Sequence, residues 1–290
     1  MEPIRLKVGV AGLGIMGSAM AKNLARSGVE TTVFNRTRES AEALQPFGIN
    51  IAESPRALAE ACDLIIVIVT NPEAVWALIN GPQGILATNG SGKILVQSST
   101  LNLATTSALA DVAQAAGYKF LDAPVTGSKA QVEAGELIFE IGGDAETLEQ
   151  ARESLLFMGK EIVHAGAIGS GTALKLCMNL VVAQMTTGIC EGTVLARALG
   201  LNPELLFDTL AKSPALNCRY FQMKRAPLLS HEYPAAFSLE NMLKDLRFIN
   251  GEALGQGLEL PVSQAAQTLL ERGENAKRQQ EDLTVVAELI

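Results

Sequence analysis

The sequence predicts an α/β protein with a doubly wound sheet in its N-terminal part, one long helix after it, and an all-α C-terminal domain. Three observations support this fold class. Short apolar runs alternate with helical patterns over the first part of the chain, a glycine-rich turn follows the first run, and no strand pattern recurs afterwards. We therefore expect an α/β domain at residues 1–165 and a helical domain at 166–290.

Composition excludes several classes of protein. With 290 residues and 48% hydrophobic content, the chain has enough apolar side chains for two cores. A net charge of -8 argues against nucleic acid or an anionic membrane as partner, because a phosphate-binding surface needs clustered Lys and Arg. The longest uncharged stretch of the long helix, Leu176 to Cys190, is shorter than the ~20 residues of a membrane span.

The start of the chain and its cysteines indicate the compartment. Met1–Arg5 leads straight into a strand pattern, without the features of a signal peptide, and we expect a cytoplasmic protein. The 4 cysteines show no CxxC spacing, and only His164 and His231 could add imidazole ligands. We therefore expect no metal site.

The first apolar run, Lys7 to Ala11, ends directly in a glycine-rich turn, Gly12-Leu13-Gly14-Ile15-Met16-Gly17. A helix pattern from Ser18 to Ser27 and a second strand at 31–34 follow. In a Rossmann-type fold the first glycine permits a tight turn, the second lets the backbone approach a pyrophosphate, and the third lets the helix lie close to the strand. The turn predicts a dinucleotide site, and the alternative is a glycine-rich turn without a ligand.

The end of the second strand predicts which dinucleotide binds. NAD-binding sites carry Asp or Glu there, whereas this chain has Asn35-Arg36-Thr37-Arg38. Asn, Arg and Thr donate hydrogen bonds, and Arg can bind a phosphate with two of them. We expect NADP(H), with Asn35, Arg36 and Thr37 in contact with it. The alternative is that Arg36 and Arg38 only solvate the start of the next helix.

Two further strand ends predict polar groups at the carboxyl edge of the sheet. The apolar run 63–69 ends in Val69-Thr70-Asn71, and the run 93–97 ends in Ser98-Ser99-Thr100. Ligands bind at this edge in doubly wound folds, so Val69, Thr70, Asn71 and Thr100 are candidate cofactor contacts. The alternative for both segments is ordinary helix capping.

A loop after the next strand, Thr126-Gly127-Ser128, has two hydroxyls and little side-chain bulk. Such a loop suits a substrate carboxylate, and the alternative is a plain turn. The last two strands are expected at 138–141 and 161–163, with a helix at 145–158 between them.

The apolar run from Gly171 to Gly200 predicts the long helix, at about 171–199, because it contains no proline and only three charged residues. Lys175 and Asn179 stand four residues apart and share one face of this helix. Considered alone, Lys175 could be a lysine whose stem packs while its ammonium reaches water. Further on, the pair Lys244-Asp245 could form a solvated salt bridge or contact a ligand.

Four motifs in this order make the chain resemble the β-hydroxyacid dehydrogenase family: the glycine-rich turn at 12–17, the segment 122–128, the segment 169–179, and Lys244-Asp245-Leu246. The resemblance implies a Rossmann domain, an interdomain helix, and a helical domain used in a homodimer or homotetramer. It implies that Lys175 is catalytic, with Asn179 beside it. It also implies that the loop at Thr126 binds a substrate carboxylate and that Thr100 and Lys244 contact the cofactor.

Ser128 after Gly127, and Phe237 ahead of the lysine motif, are similar to the glyoxylate and succinic semialdehyde reductases, which adds Phe237 and Thr100 to the substrate contacts. Thr126 in place of the usual Ser, and Ala130-Gln131-Val132 in place of a proline-containing segment, depart from that branch. We expect NADPH-dependent reduction of a small aldehyde acid, with Lys175 as proton donor. The alternatives are 3-hydroxyisobutyrate dehydrogenase or tartronate semialdehyde reductase, then an imine reductase or a non-catalytic cofactor-binding module.

Overall fold

The computed structural model describes residues 6–290, so the expected lead from Met1–Arg5 into the first strand lies outside the described residues. Its nine strands are β1 (Val8–Ala11), β2 (Thr31–Phe34), β3 (Asn50–Ile51), β4 (Leu64–Val67), β5 (Ile94–Gln97), β6 (Lys119–Asp122), β7 (Val125–Thr126), β8 (Leu137–Gly143) and β9 (Gly159–Gly166). The helices among them are α1 (Ile15–Arg26), α2 (Arg38–Glu42), α3 (Pro55–Ala61), α4 (Pro72–Asn80), α5 (Leu103–Ala115), α6 (Lys129–Glu133) and α7 (Ala145–Leu156).

The first six strands form the expected doubly wound sheet. They are parallel neighbours in the order β3-β2-β1-β4-β5-β6, and β1, β4 and β5 are buried along their whole length. Apolar side chains on both faces are what a parallel strand covered by helices requires. The order reverses between β1 and β4, and such a switch point places ligands at the carboxyl ends of these strands.

The last three strands extend the sheet. β8 runs antiparallel to β6 and to β7, which pair with different stretches of it, and it runs parallel to β9, which pairs with it from Leu137 to Gly142. Side chains alternate across β8, so Leu137, Phe139 and Ile141 join the core with α7, while Glu140 points to the opposite face. This face becomes important for the functional site.

One helix of 29 residues, α8 (Ser170–Ala198), confirms the expected long apolar helix. Thr172, Lys175 and Asn179 are polar residues buried on it. By length and composition alone α8 could cross a membrane, as core helices of many proteins could, and 39% of its most apolar window is buried.

The residues after α8 are helical, as expected: α9 (Glu204–Lys212), α10 (Arg219–Ser230), α11 (Leu239–Gly255) and α12 (Pro261–Asn275). Their core includes Leu243 and Leu246 of α11. It also encloses an ion pair in which Lys224 Nζ lies 2.9 Å from Asp282 Oδ1. The chain divides into two compact units after Lys175, within α8. The domain boundary expected at 165/166 stays a prediction.

Candidate functional site

The glycine-rich turn joins β1 to α1, and two of its glycines are required by packing. Gly12 has φ +100, and a Cβ there would lie 2.2 Å from the Ile68 carbonyl oxygen. A Cβ on Gly17 would lie 1.9 Å from the Gly12 carbonyl oxygen. Any side chain at either position would collide with backbone, so both glycines hold the turn against the sheet.

Gly14 has a different role, because a Cβ built there would meet no atom within 4 Å and its φ of -73 suits any residue. It is the N-cap of α1, and no acidic residue lies in the first turn of that helix. A helix N-terminus offers free N–H groups and a positive dipole end to an anion. The open space at Gly14 fits a pyrophosphate held by the free N–H groups at the start of α1.

Asn35 lies at the end of β2, and its side chain is engaged by the protein itself. Its Oδ1 accepts a hydrogen bond from the Leu13 N–H at 3.0 Å, and its Nδ2 donates to the Thr37 carbonyl at 2.9 Å. The Asn35 amide therefore ties the glycine-rich turn to the segment after β2. Sequence reasoning expected Asn35 to contact the cofactor and did not anticipate this link.

The arginines beside Asn35 differ in their partners. Arg38 pairs with Glu42 and Glu53, whereas Arg36 is exposed and has no ion pair or hydrogen bond recorded within residues 6–290. A hollow of about 280 Å³ lies here, lined by Phe34, Asn35, Arg36, Arg38, Ala41, Ile51, Ala52 and Glu53. Arg36 is thus the cation at this strand end that remains available to an anionic ligand.

The ends of β4 and β5 are joined by a hydrogen bond from the Val69 N–H to Ser99 Oγ at 2.9 Å. Asn71 caps α4, because its Oδ1 accepts a hydrogen bond from the Ala74 N–H at 2.9 Å. For Asn71 this agrees with the alternative of ordinary helix capping. Thr70 is exposed and Thr100 is half-buried just beyond β5. These side chains therefore lie at the carboxyl edge of the sheet, where the sequence placed them.

Lys175 contacts the loop that follows β6. Its Nζ donates a hydrogen bond to Thr126 Oγ1 at 3.0 Å, and the lysine is 9% exposed. Thr126 pairs with Ile138 of β8, on the same face as Glu140, and Glu140 is 3% exposed. Burial raises the pKa of Glu140, while the charge of Lys175 and the Thr126 hydroxyl act to lower it. A buried base, hydroxyl and acid thus form one cluster.

Close packing and a helix cap define the rest of this loop. Gly127 has φ +156, and a Cβ there would lie 2.5 Å from Leu137 Cδ2. The Ser128 N–H donates to Gln131 Oε1 at 2.8 Å, and Ser128 and Gln131 form a capping box at the start of α6. This reciprocal cap explains the short helix α6, which was not predicted from the sequence.

Asp122, at the end of β6, fixes the start of α8. Its carboxylate accepts hydrogen bonds from the Gly169 N–H at 2.8 Å and the Thr172 N–H at 2.7 Å. Burial raises the pKa of this carboxyl group, and these hydrogen bonds act in the opposite direction. Lys175 follows less than one turn after Thr172, so the clamp at Asp122 sets the position of the lysine along the sheet.

A second polar cluster lies in the second compact unit. Asn179 Nδ2 donates to Asp245 Oδ2 at 2.7 Å, and Lys244 Nζ lies 2.6 Å from Asp245 Oδ1. Lys244 also stacks over Phe248, 4.9 Å from the ring centroid. Asp245 is 2% exposed, so this is a buried bridge rather than the solvated pair that the sequence left as one alternative. Phe237 is half-buried, and its N–H donates to Asp282 Oδ2 at 3.1 Å.

The structure therefore joins several of the predicted residues to one another. Thr126 and Lys175 are joined directly, Asn179 and Lys244 are joined through Asp245, and Asn35 is joined to Leu13. Within residues 6–290, no group of three or more His, Cys, Asp or Glu side chains is placed to hold a metal ion.

Comparison with known proteins gives matches over both parts of the chain. A family model described as the NAD binding domain of 6-phosphogluconate dehydrogenase matches residues 7–166. A second, described as NAD-binding of NADP-dependent 3-hydroxyisobutyrate dehydrogenase, matches residues 169–290.

Individual relatives align over nearly the whole chain. Glyoxylate/succinic semialdehyde reductase 2, chloroplastic, from Arabidopsis thaliana is 33% identical, over 98% of this chain and 79% of the relative. Glyoxylate/succinic semialdehyde reductase 1 from the same plant is 30% identical, over 98% of each chain. A solved 3-hydroxyisobutyrate dehydrogenase from Mycobacterium tuberculosis, with L-serine, has a TM-score of 0.87 and 29% identity, covering 99% of each chain.

Proposed function

Because the chain belongs to the β-hydroxyacid dehydrogenase family, and so is an oxidoreductase acting on CH–OH groups with a nicotinamide cofactor, we propose that it reduces a small aldehyde acid with NADPH. Glyoxylate and succinic semialdehyde are the proposed substrates, and the hydroxy acids are the products. The observation that carries the proposal is the buried Lys175 ammonium held by Thr126 at 3.0 Å. The two Arabidopsis relatives named for these substrates support the choice of substrate.

Lys175 is the proton donor in the proposed mechanism. When bound, the nicotinamide would supply a hydride to the carbonyl carbon, and the carbonyl oxygen would then carry negative charge. A buried ammonium stabilises that charge more than an exposed one would, because water does not screen it. Lys175 then transfers one proton from Nζ to the oxygen, which completes the hydroxy acid and leaves the lysine as a neutral amine.

Asn179 and Ser128 are proposed to orient the substrate. The Asn179 amide uses one N–H on Asp245, which leaves its second N–H for the substrate oxygen. Within the capping box the Ser128 hydroxyl accepts from the Gln131 N–H, so its own proton can be donated to the substrate carboxylate. Thr126 is already engaged by Lys175, so among the loop hydroxyls Ser128 becomes the main proposed anchor.

NADP(H) is the proposed cofactor, and Arg36 is the residue proposed to bind its 2'-phosphate. Replacing Arg36 by Ala should raise the KM for NADPH at least about tenfold and leave kcat/KM for NADH nearly unchanged, because a charge-assisted hydrogen bond is lost only with the phosphorylated cofactor. Steady-state kinetics with both cofactors tests this.

The matched control for Arg36 is Arg38→Ala. The Arg38 guanidinium already pairs with Glu42 and Glu53, so its removal should change the KM for NADPH much less. Equal effects of the two substitutions, or a parent enzyme that prefers NADH, would contradict the proposed phosphate site.

Substrate identity is tested by following NADPH oxidation optically with a panel of aldehyde acids. We expect the highest kcat/KM with glyoxylate or succinic semialdehyde. The family model over residues 169–290 favours a second candidate, NADP-dependent oxidation of 3-hydroxyisobutyrate, and the panel includes this reaction and the reduction of tartronate semialdehyde. NADPH binding without turnover of any short acid would instead indicate a cofactor-binding module.

A further inference from the structure

We propose that Glu140 is a positioning residue for this reaction: its buried carboxylate orients the Thr126 hydroxyl and serves as the counter-ion of the Lys175 ammonium. The role in turnover rests on the proposed function, whereas the pairing with Lys175 can be tested without a substrate.

The first observation is that Glu140 lies where a carboxyl group is costly. It is 3% exposed on β8, and its Oε2 has no hydrogen-bond partner among the residues that the structure describes. Burial of a charged carboxylate costs several kcal/mol, roughly, unless a cation or donors compensate for it. Its neighbours Phe139 and Ile141 pack in the apolar core, so the fold of β8 does not itself require a charge at position 140.

The second observation is the direction of the hydrogen bonds. A threonine hydroxyl has one proton and two lone pairs. Thr126 Oγ1 accepts from Lys175 Nζ at 3.0 Å, which leaves its own proton to be donated, and Thr126 pairs with Ile138 on the face of β8 that carries Glu140. In the proposal the Glu140 carboxylate receives this proton, and the series of ammonium, hydroxyl and carboxylate sets the Thr126 rotamer and, through it, the position of Nζ.

The third observation is the charge on this face of the sheet. Strand register places Asp122 of β6 and Glu161 of β9 on the same face as Glu140, and Lys175 comes from α8. Asp122 is engaged by the N–H groups of Gly169 and Thr172, and Glu161 is exposed. Lys175 is therefore the cation that compensates Glu140, and by reciprocity Glu140 favours the charged form of Lys175.

The test substitutes Glu140→Gln, which keeps size and hydrogen bonding and removes the charge. Without the carboxylate, the Lys175 ammonium should lose its proton at lower pH. The kcat for reduction falls when Lys175 is deprotonated. The alkaline limb of the profile of kcat against pH should therefore move to lower pH by about one unit. At a fixed pH on that limb, kcat should be about tenfold lower, with the KM for NADPH unchanged.

A second readout uses no substrate. Amine labelling of the whole protein across a pH series, with mass spectrometry of the peptide containing Lys175, reports when that amine becomes neutral. The labelling curve of Lys175 should shift to lower pH by the same amount in Glu140→Gln. Glu140→Asp keeps the charge and should return the curve towards that of the parent, which a purely structural role would not do.

Glu161→Gln is the matched control, since it removes a carboxylate from the same face at an exposed position. It should leave the pH profile of kcat and the labelling curve of Lys175 unchanged. An unshifted Lys175 labelling curve in Glu140→Gln overturns the proposal. If the parent reduces none of the acids, the proposed function fails, while the labelling curves still decide the role of Glu140.

Discussion

Alanine in place of Lys175 should lower kcat for aldehyde-acid reduction by about 10²- to 10⁴-fold, the usual contribution of a general acid. NADPH should still bind, because the residues proposed to hold its phosphates lie in the glycine-rich turn and at the end of β2. Steady-state kinetics together with fluorescence titration of NADPH measures the two effects separately.

Two further variants make the result for Lys175 specific. Lys175→Met keeps a long unbranched side chain in the buried site and should be as inactive as the alanine variant. Lys160→Ala removes an exposed lysine from β9 and should leave kcat within about twofold, as surface substitutions usually do. Turnover of Lys175→Met within a few-fold of the parent enzyme would refute the role of proton donor.

Alanine at Gly17 should destabilise the first compact unit severely. Its Cβ would lie 1.9 Å from the Gly12 carbonyl oxygen, so α1 or the turn must move. Overpacking of this kind costs about 1–3 kcal/mol, and backbone on both sides of the contact leaves little room for relaxation. We expect a lower midpoint of thermal unfolding and no measurable NADPH binding.

Gly14→Ala is the matched comparison for Gly17→Ala. Its Cβ would meet nothing within 4 Å, so the free energy of unfolding should fall by at most about 1 kcal/mol, the scale of an N-cap change. The new methyl group would instead occupy the space proposed for the pyrophosphate, and the Kd for NADPH should rise at least tenfold, roughly 1.4 kcal/mol. Equal loss of stability in both variants would show that Gly14 is a packing residue and not a binding one.

The sheet and the long helix could be predicted because local sequence patterns specify them. Apolar runs bounded by turns predicted the parallel strands, and the apolar run without proline from Gly171 predicted α8. The antiparallel pairing of β6 with β8 depends on contacts between distant residues, and no local pattern indicates it. The short helix α6 could have been found from its capping-box spacing, Ser128 to Gln131.

The residues that the sequence singled out for the site were chosen by chemical type and by resemblance, and their partners were not foreseen. Glu140 stands in the alternating segment Ile138-Phe139-Glu140-Ile141, where a charged residue suggests a solvent-facing position. In the fold β8 is paired with β7 and β9, and Glu140 is only 3% exposed. Asp245 was seen only as the neighbour of Lys244, because its bond to Asn179 joins residues 66 positions apart.

The link between Asn35 and Leu13 has a consequence for engineering the cofactor preference. The usual acidic residue of an NAD site would stand at position 35, where the present amide donates to the Thr37 carbonyl and accepts from the Leu13 N–H. An Asp side chain at position 35 could still accept a hydrogen bond from the Leu13 N–H. Its carboxylate would, however, face the Thr37 carbonyl oxygen, and neither of these groups can donate a hydrogen bond. A change of coenzyme attempted at Asn35 would therefore disturb the pyrophosphate turn as well, whereas a change at Arg36 would leave that turn intact.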